Sequence, residues 1–329
     1  ETITKADFDF PDVSKTGSYS KEEGWIEKHV EQVLAYSLID VEGIRNANLK
    51  IAVDPVNSTG GIAIPVLLEK LGVNQVELIN GDVSGNFAHN PEPLKEHLTD
   101  ISELVVKENA DFGIVVDPDV DRLALVCEDG SMFGEEYTLV ACADYVLGKL
   151  GGGNTVSNLS SSRALRDVTL KHGGTYTASA VGEVNVVIKM KETNTVIGGE
   201  GNGGIIYPAS HYGRDSLVGV ALFLSHMAHK KISCKALRNS YPSYFMSKNK
   251  IQLTPQINVD HVLEMMANKY SSEEVNTIDG VKIDFEQQWV HLRKSNTEPI
   301  IRIYTESNSQ QSADELAERF ITEITEIIS

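Results

Sequence analysis

The run Phe112-Gly-Ile-Val-Val116 is apolar at every position, and Asp117-Pro-Asp119-Val-Asp121-Arg122 follows it at once. A strand with no polar alternation must be covered on both faces, the habit of parallel sheets sandwiched between helices. The flanking sequence extends that pattern. A strand at 49–53, a turn-rich loop at 55–61, a helix at 62–71 closed by Gly72 and a strand at 75–79 read as a βαβ unit. A helix over 94–108, a strand at 123–127 and a helix at 135–149 complete it.

Gly151-Gly152-Gly153 reads as a domain boundary. Beyond it the alternation restarts: strand 154–158, helix 162–171, strand 175–181, helix 183–191, strand 195–199 and a helix over 215–230. From about residue 245 the character changes to strand-like runs at 250–254, 281–284, 288–292 and 300–305. The last helix carries Leu316, Phe320, Ile324 and Ile327 on one face, with Ser312 and Glu315 as an expected capping box. At the other end, residues 1–20 read as a loop. Residues 21–40 read as a helix with Trp25, Ile26, Val30, Val33 and Leu34 at helical spacing. The predicted fold class is α/β, with two doubly wound α/β domains followed by a smaller α+β C-terminal domain.

Charge narrows the function. A formal net charge of −18 leaves no broad basic surface for nucleic acid and no polybasic membrane face. There is no apolar run of about 18 residues to span a bilayer and no apolar secretory segment near Glu1. Three cysteines without CxxC spacing fit neither a disulfide scaffold nor a cysteine-rich zinc site, and fit a reducing cytoplasm. If the substrate is an anion, the positive charge that binds it must be local.

Three short motifs carry chemistry. Asp117, Asp119 and Asp121 follow a strand end at i, i+2 and i+4, where carboxylates converge on one hard cation, Mg²⁺ or Ca²⁺. A solvated acidic turn competes with that reading. An EF-hand loop does not, because Arg122 stands where that loop needs glycine. A haloacid-dehalogenase-like Mg-dependent phosphatase matches in part, with Asp121 where that family has Thr or Val. Next, Arg293-Lys-Ser295-Asn296-Thr297-Glu298-Pro299 is locally cationic, and its guanidinium, hydroxyl and amide donors suit a phosphate. An exposed turn is the alternative. Last, Gly199-Glu200-Gly201-Asn202-Gly203-Gly204 puts a carboxylate and an amide in a glycine-rich loop, able to hold vicinal hydroxyls or to be only a tight turn. Arg214, beside Asp215, reads as a structural cap or pair.

In this order the motifs resemble those of the α-D-phosphohexomutase family: phosphoglucomutases, phosphomannomutases and phosphoglucosamine mutases. Asp117–Arg122 resembles its metal loop D-x-D-x-D-R, Gly199–Gly204 its sugar loop, and Arg293–Pro299 its phosphate loop R-x-S-N-T-E-P. Gly85-Asn-Phe with Pro91-Glu-Pro93, and Tyr212-Gly-Arg-Asp-Ser, fit as well, so the likeness spans nearly the whole chain. Asn202 and Gly204 resemble the archaeal-type phosphoglucosamine mutase branch.

The resemblance implies an enzyme interconverting hexose 1-phosphate and 6-phosphate through a phosphoserine and a bisphosphate. It implies Mg²⁺ on Asp117, Asp119 and Asp121, Arg122 as a catalytic cation, and the sugar on Glu200 and Asn202. The distal phosphate would sit on Arg293, Ser295, Asn296 and Thr297. It further implies a family serine loop upstream of the metal loop. Ala88 precedes His89-Asn90-Pro91, so that stretch does not supply it. The expected division is then a linker and helix over 1–40, a metal-binding domain over 41–150, a sugar-binding domain over 151–245 and a phosphate-binding domain over 246–329. The chain alone is expected to keep its fold without turning over; a non-catalytic phosphosugar-binding module is the remaining alternative.

Overall fold

The computed structural model describes residues 8, 10–254, 257–295 and 298–328. Helices α1 (Trp25–Leu34) and α2 (Val41–Ala47) lead into the first sheet. That sheet has strands β1 (Lys50–Asp54), β2 (Gln75–Leu78), β3 (Phe112–Val116) and β4 (Leu123–Cys127) in the order β2-β1-β3-β4. The first three are parallel and β4 returns antiparallel on β3. Helices α3 (Gly60–Leu71), α4 (Thr99–Glu108) and α5 (Glu135–Leu150) accompany it. β3 and β4 are buried throughout, as unbroken apolar runs require.

The second sheet repeats the plan. β5 (Asn154–Asn158), β6 (Tyr176–Ser179), β7 (Thr195–Glu200) and β8 (Gly204–Ile206) lie in the order β6-β5-β7-β8, with β8 antiparallel on β7. Helices α6 (Ala164–Lys171), α7 (Glu183–Glu192), α8 (Ser216–Lys230) and α9 (Cys234–Asn239) belong to this half. α8 is buried from Ser216 to Ala228 and α5 from Tyr137 to Leu147. Helices apolar all round lie between layers, and these two pack on each other at the junction of the sheets. Phe223 on α8 meets Phe112 and Phe133 edge to face, each at 5.4 Å between centroids. One apolar cluster therefore runs from Val30 to Tyr241.

The last sheet is antiparallel: β9 (Phe245–Gln252), β10 (Glu274–Asn276), β11 (Val281–Asp284), β12 (Trp289–Lys294) and β13 (Ile300–Ser307), in the order β10-β11-β12-β13-β9. Helices α10 (Val259–Lys269) and α11 (Gln310–Ile328) cover one face and close a separate core around Phe320. This unit meets the second sheet through polar groups. Arg163 N–H donates to Glu306 Oε1 at 3.1 Å, its guanidinium reaches Asp284 at 3.2 Å, and Lys282 Nζ donates to the Leu159 carbonyl at 2.9 Å.

The structure corrects several element-level expectations. The helix expected over 21–40 ends at Leu34, and a second helix, α2, starts after the Asp40 cap. Trp25 is 59% exposed, with Lys28 Nζ over its ring, while Val30 and Val33 carry the buried face. The strand expected at 250–254 is β9, displaced toward the N-terminus by its full-length pairing with β13. Ser312 is not the cap of the last helix. The helix begins at Gln310, and Ser309 Oγ accepts the Ser312 N–H at 3.1 Å.

Candidate functional site

The aspartate loop leaves the C-terminal end of β3, where open α/β sheets present their ligands. It is held tightly. Asp117 Oδ1 accepts the N–H groups of Asp121 and Arg122, both at 3.0 Å. Ser58 Oγ donates to the Pro118 carbonyl at 2.7 Å, and Ser216 N–H to the Val120 carbonyl at 3.1 Å. Val120 has φ of 61°, a left-handed conformation costly for a β-branched residue. That backbone turn brings Asp117, Asp119 and Asp121 together, with a carboxylate oxygen of each within 4.8 Å of the others.

The trio fits a hard cation. Asp121 Oδ1 is buried and accepts no hydrogen bond. Burial chiefly, with Asp117 and Asp119 beside it, pushes the Asp121 carboxyl up to about 6 against the pull of Arg214. Clustered oxygen donors, one left without a partner, are the ligand set that Mg²⁺ or Ca²⁺ takes. Arg122 Nε lies 3.7 Å from Asp117 Oδ2, and its Nη1 lies 3.5 Å from Glu92 Oε1, within the Pro91-Glu-Pro93 stretch.

The glycine-rich loop packs directly against this one. Leu123 N–H donates to the Gly203 carbonyl at 3.0 Å, and Arg122 bridges to Gly204. A Cβ on Gly203 would stand 2.4 Å from the Leu123 carbonyl oxygen, and its φ is +85°, so the approach requires glycine there. Glu200 ends β7, buried, with Oε1 accepting from Asn158 Nδ2 at 2.9 Å. Asn202 Oδ1 accepts the Gly204 N–H at 3.2 Å, which aims its amide.

Arg214 joins the two loops, a wider role than the local cap or pair expected of it. Its guanidinium donates to Asp121 Oδ2 at 2.5 Å and reaches Glu183 at 3.3 Å and Glu200 at 3.5 Å. It does not pair with Asp215, which instead caps α8 by accepting from Leu217 and Val218. Those partners come from three separate elements, so no spacing in the sequence announces them.

Arg293, at the start of the 293–299 stretch, faces the glycine-rich loop across a cavity of about 250 Å³. Glu200, Asn202, Ser160, Arg293 and Arg302 all line it. The register of the last sheet places Arg293 opposite Arg302 and Arg302 opposite Lys250, a row of three cations across β12, β13 and β9. Like charges directly opposite destabilise a sheet unless an anion lies between them. Arg302 Nε is buried with no hydrogen-bond partner, whereas Arg293 has Asp279 at 3.6 Å. Arg302 and Lys250 escaped the sequence reading because cross-strand register is not a local property.

Ser295 N–H donates to the Ile300 carbonyl at 3.1 Å, and its Oγ accepts from Glu298 N–H at 3.3 Å. Asn296 and Thr297 lie outside the described residues. A separate cavity of about 820 Å³ lies between α2 and the end of α8 and contains none of the predicted site residues. No helix among the described residues is long and apolar enough to cross a membrane.

Comparison with known proteins matches the chain along nearly its whole length. Three family models match in succession: phosphoglucomutase/phosphomannomutase α/β/α domain II over residues 27–130, domain III over 134–244, and the C-terminal domain over 250–323. The phosphoglucomutase/phosphomannomutase of Thermococcus kodakarensis is 33% identical over 321 residues, covering 97% of this chain and 69% of that protein. The phosphoglucosamine/phosphogalactosamine mutase of Sulfurisphaera tokodaii is 32% identical over 308 residues, 92% of this chain and 67% of that protein. Among solved structures, a phosphoglucomutase/phosphomannomutase family protein from Burkholderia thailandensis superimposes with a TM-score of 0.78 at 27% identity, over 98% of this chain and 67% of that one.

Proposed function

Because this chain belongs to the phosphoglucomutase/phosphomannomutase family, the α-D-phosphohexomutases, we propose that it supplies the metal-, sugar- and phosphate-holding parts of a phosphohexomutase. The reaction interconverts hexose 1-phosphate and 6-phosphate, with glucosamine, mannose and glucose phosphates as the substrate class. We place it in a reducing cytoplasm, which suits three buried free thiols.

The observation that carries the reading is the shared cavity. Glu200 and Asn202 of the sugar loop and Arg293 of the phosphate loop line one space, while Arg214 ties Glu200 to the aspartate trio. A sugar with phosphates at both ends has cationic or metal-binding groups for each.

We assign residues 41–150 to metal binding, 151–245 to the sugar, 246–329 to the distal phosphate, and 1–40 to the approach from a preceding domain. Asp117, Asp119 and Asp121 would hold Mg²⁺, which when bound supplies charge neutralisation for the transferring phosphoryl group. The protein's own groups do the positioning. Arg122, beside Asp117, offers a cationic donor near the group in transfer. Arg293 and Arg302, with Ser295 and the Asn296-Thr297 pair, hold the phosphate that is not reacting. Glu200 accepts from ring hydroxyls and Asn202 bonds them, in either orientation of the sugar. A serine phosphate brought to the aspartate loop would give its phosphoryl group to a sugar hydroxyl, whose proton passes to the departing serine oxygen, forming the bisphosphate. The bisphosphate turns, and its other phosphate returns to the serine oxygen, so the phosphoryl count balances. Fixed positions matter because such transfer gains mainly from alignment and charge stabilisation.

The phosphatase alternative requires Asp117 to attack phosphorus as a nucleophile. Its Oδ1 is instead engaged by two backbone N–H groups. Phosphorus NMR of hexose 6-phosphates incubated with the whole encoded protein and Mg²⁺ tests the proposal. Appearance of the hexose 1-phosphate is expected; release of inorganic phosphate alone contradicts it.

A further inference from the structure

A second ligand cluster lies outside this machinery. His29 on α1 and His211, in the loop before α8, both direct Nε2 at one oxygen, Asp215 Oδ2, at 2.7 and 3.0 Å. The other oxygen of that carboxylate is committed: Oδ1 accepts Leu217 and Val218 N–H at 2.9 and 3.1 Å. That bond fixes the carboxylate's orientation, the role a second-shell partner plays for a metal ligand. The three ligand atoms lie within 4.8 Å of one another. The rings are 28% and 46% exposed over a carboxylate that is 7% exposed, so one side of the cluster opens to solvent.

We propose that His29, His211 and Asp215 form a site for a borderline divalent transition metal of the Zn²⁺ type. Two imidazoles and a carboxylate with a position left for water are a three-ligand zinc set. Ligands bound tetrahedrally at Zn–N and Zn–O lengths near 2.0–2.1 Å stand about 3.3 Å apart. The Nε2-to-oxygen distances of 2.7 and 3.0 Å are already close to that value. The metal takes the place of the imidazole protons, and the two ring nitrogens, within 4.8 Å of each other, close toward the same spacing.

The site differs in kind from the aspartate trio. All-oxygen ligands favour Mg²⁺, and imidazole nitrogen favours the softer ion. It also joins remote parts of the chain: His29 is 186 residues from Asp215. Asp215 directly follows Arg214, so the ion ties α1 to the segment that presents Arg214 to Asp121.

The test is a zinc titration of metal-stripped protein against a chromophoric chelator, with thermal melts alongside. Wild type, H29A, H211A and D119N are compared; Asp215 is left intact because it caps α8. The expected result is a zinc equivalent whose affinity falls at least about 100-fold in each histidine variant and is kept in D119N. Zinc should also raise the wild-type melting temperature and leave that of H29A unchanged. No zinc bound, or zinc lost in D119N while H29A and H211A bind like wild type, overturns the proposal. Because the readout is binding and stability, it stands or falls independently of mutase activity.

Discussion

The guanidinium of Arg214 occupies Asp121 Oδ2 at 2.5 Å, so a cationic side chain stands at a carboxylate that also belongs to the aspartate trio. The same guanidinium reaches Glu183 and Glu200. Arg214 therefore neutralises the cluster, and a metal at the proposed site would have to compete with it for Asp121.

Arg214→Ala is expected to act in opposite directions on two observables. Mg²⁺ affinity rises roughly tenfold, the equivalent of one charged hydrogen bond of about 1.5 kcal/mol no longer displaced. Stability without metal falls by about 2 kcal/mol, because Asp121, Glu183 and Glu200 lose their shared partner. Calorimetric Mg²⁺ titrations and denaturant melts check both. Unchanged Mg²⁺ affinity would show that Arg214 does not compete for Asp121.

The cation row of the last sheet makes the second prediction. Arg293→Ala weakens hexose 6-phosphate binding by more than about 1.5 kcal/mol, the scale of one charged hydrogen bond. Arg302→Gln does the same while leaving the fold at least as stable, since it relieves the cross-strand opposition to Arg293 and Lys250. Isothermal titration and thermal melts on each variant decide this. An Arg302 variant that binds normally would confine the dock to the 293–299 loop.

Much of this was legible in the sequence, and the exceptions share one physical cause. Asp117, Asp119 and Asp121 could be read because closely spaced carboxylates after an apolar strand are a local signal. Arg214 could not: its partner Asp121 is 93 residues away and arrives only when the two sheets pack. Arg302 needed the β12–β13 register, which depends on the turn between the strands rather than on either strand alone. Helix α2 was missed because its seven residues, with Gly43 and Asn46 among them, show too little apolar periodicity. The antiparallel returns of β4 and β8 likewise follow from chain connection, since both are apolar runs that resemble parallel strands.

Stability should depend on acid through Asp144, which lies buried on α5. Burial pushes its carboxyl up, but hydrogen bonds from His226 and His172 outweigh that and hold it well below the usual carboxylate range. A group whose value is depressed in the fold stabilises it above the unfolded value, about 3.9, and loses that contribution as pH falls toward the folded value. Asp144→Asn is expected to cost about 2 kcal/mol at neutral pH, with the gap to wild type narrowing steadily below about pH 4. Denaturant melts at several pH values measure it. A gap constant with pH would assign the loss to packing rather than charge.

The aspartate trio and the Arg293–Arg302 pocket are expected to grip opposite ends of one sugar. Titrating the protein with a hexose 1,6-bisphosphate and with the matching 6-phosphate, with and without Mg²⁺, in wild type, D119N and R293A, tests it most directly. The bisphosphate should bind at least about tenfold more tightly than the monophosphate only when Mg²⁺ is present. D119N should erase that advantage, and R293A should weaken both ligands. Equal binding of the two ligands whether or not Mg²⁺ is present would contradict the account.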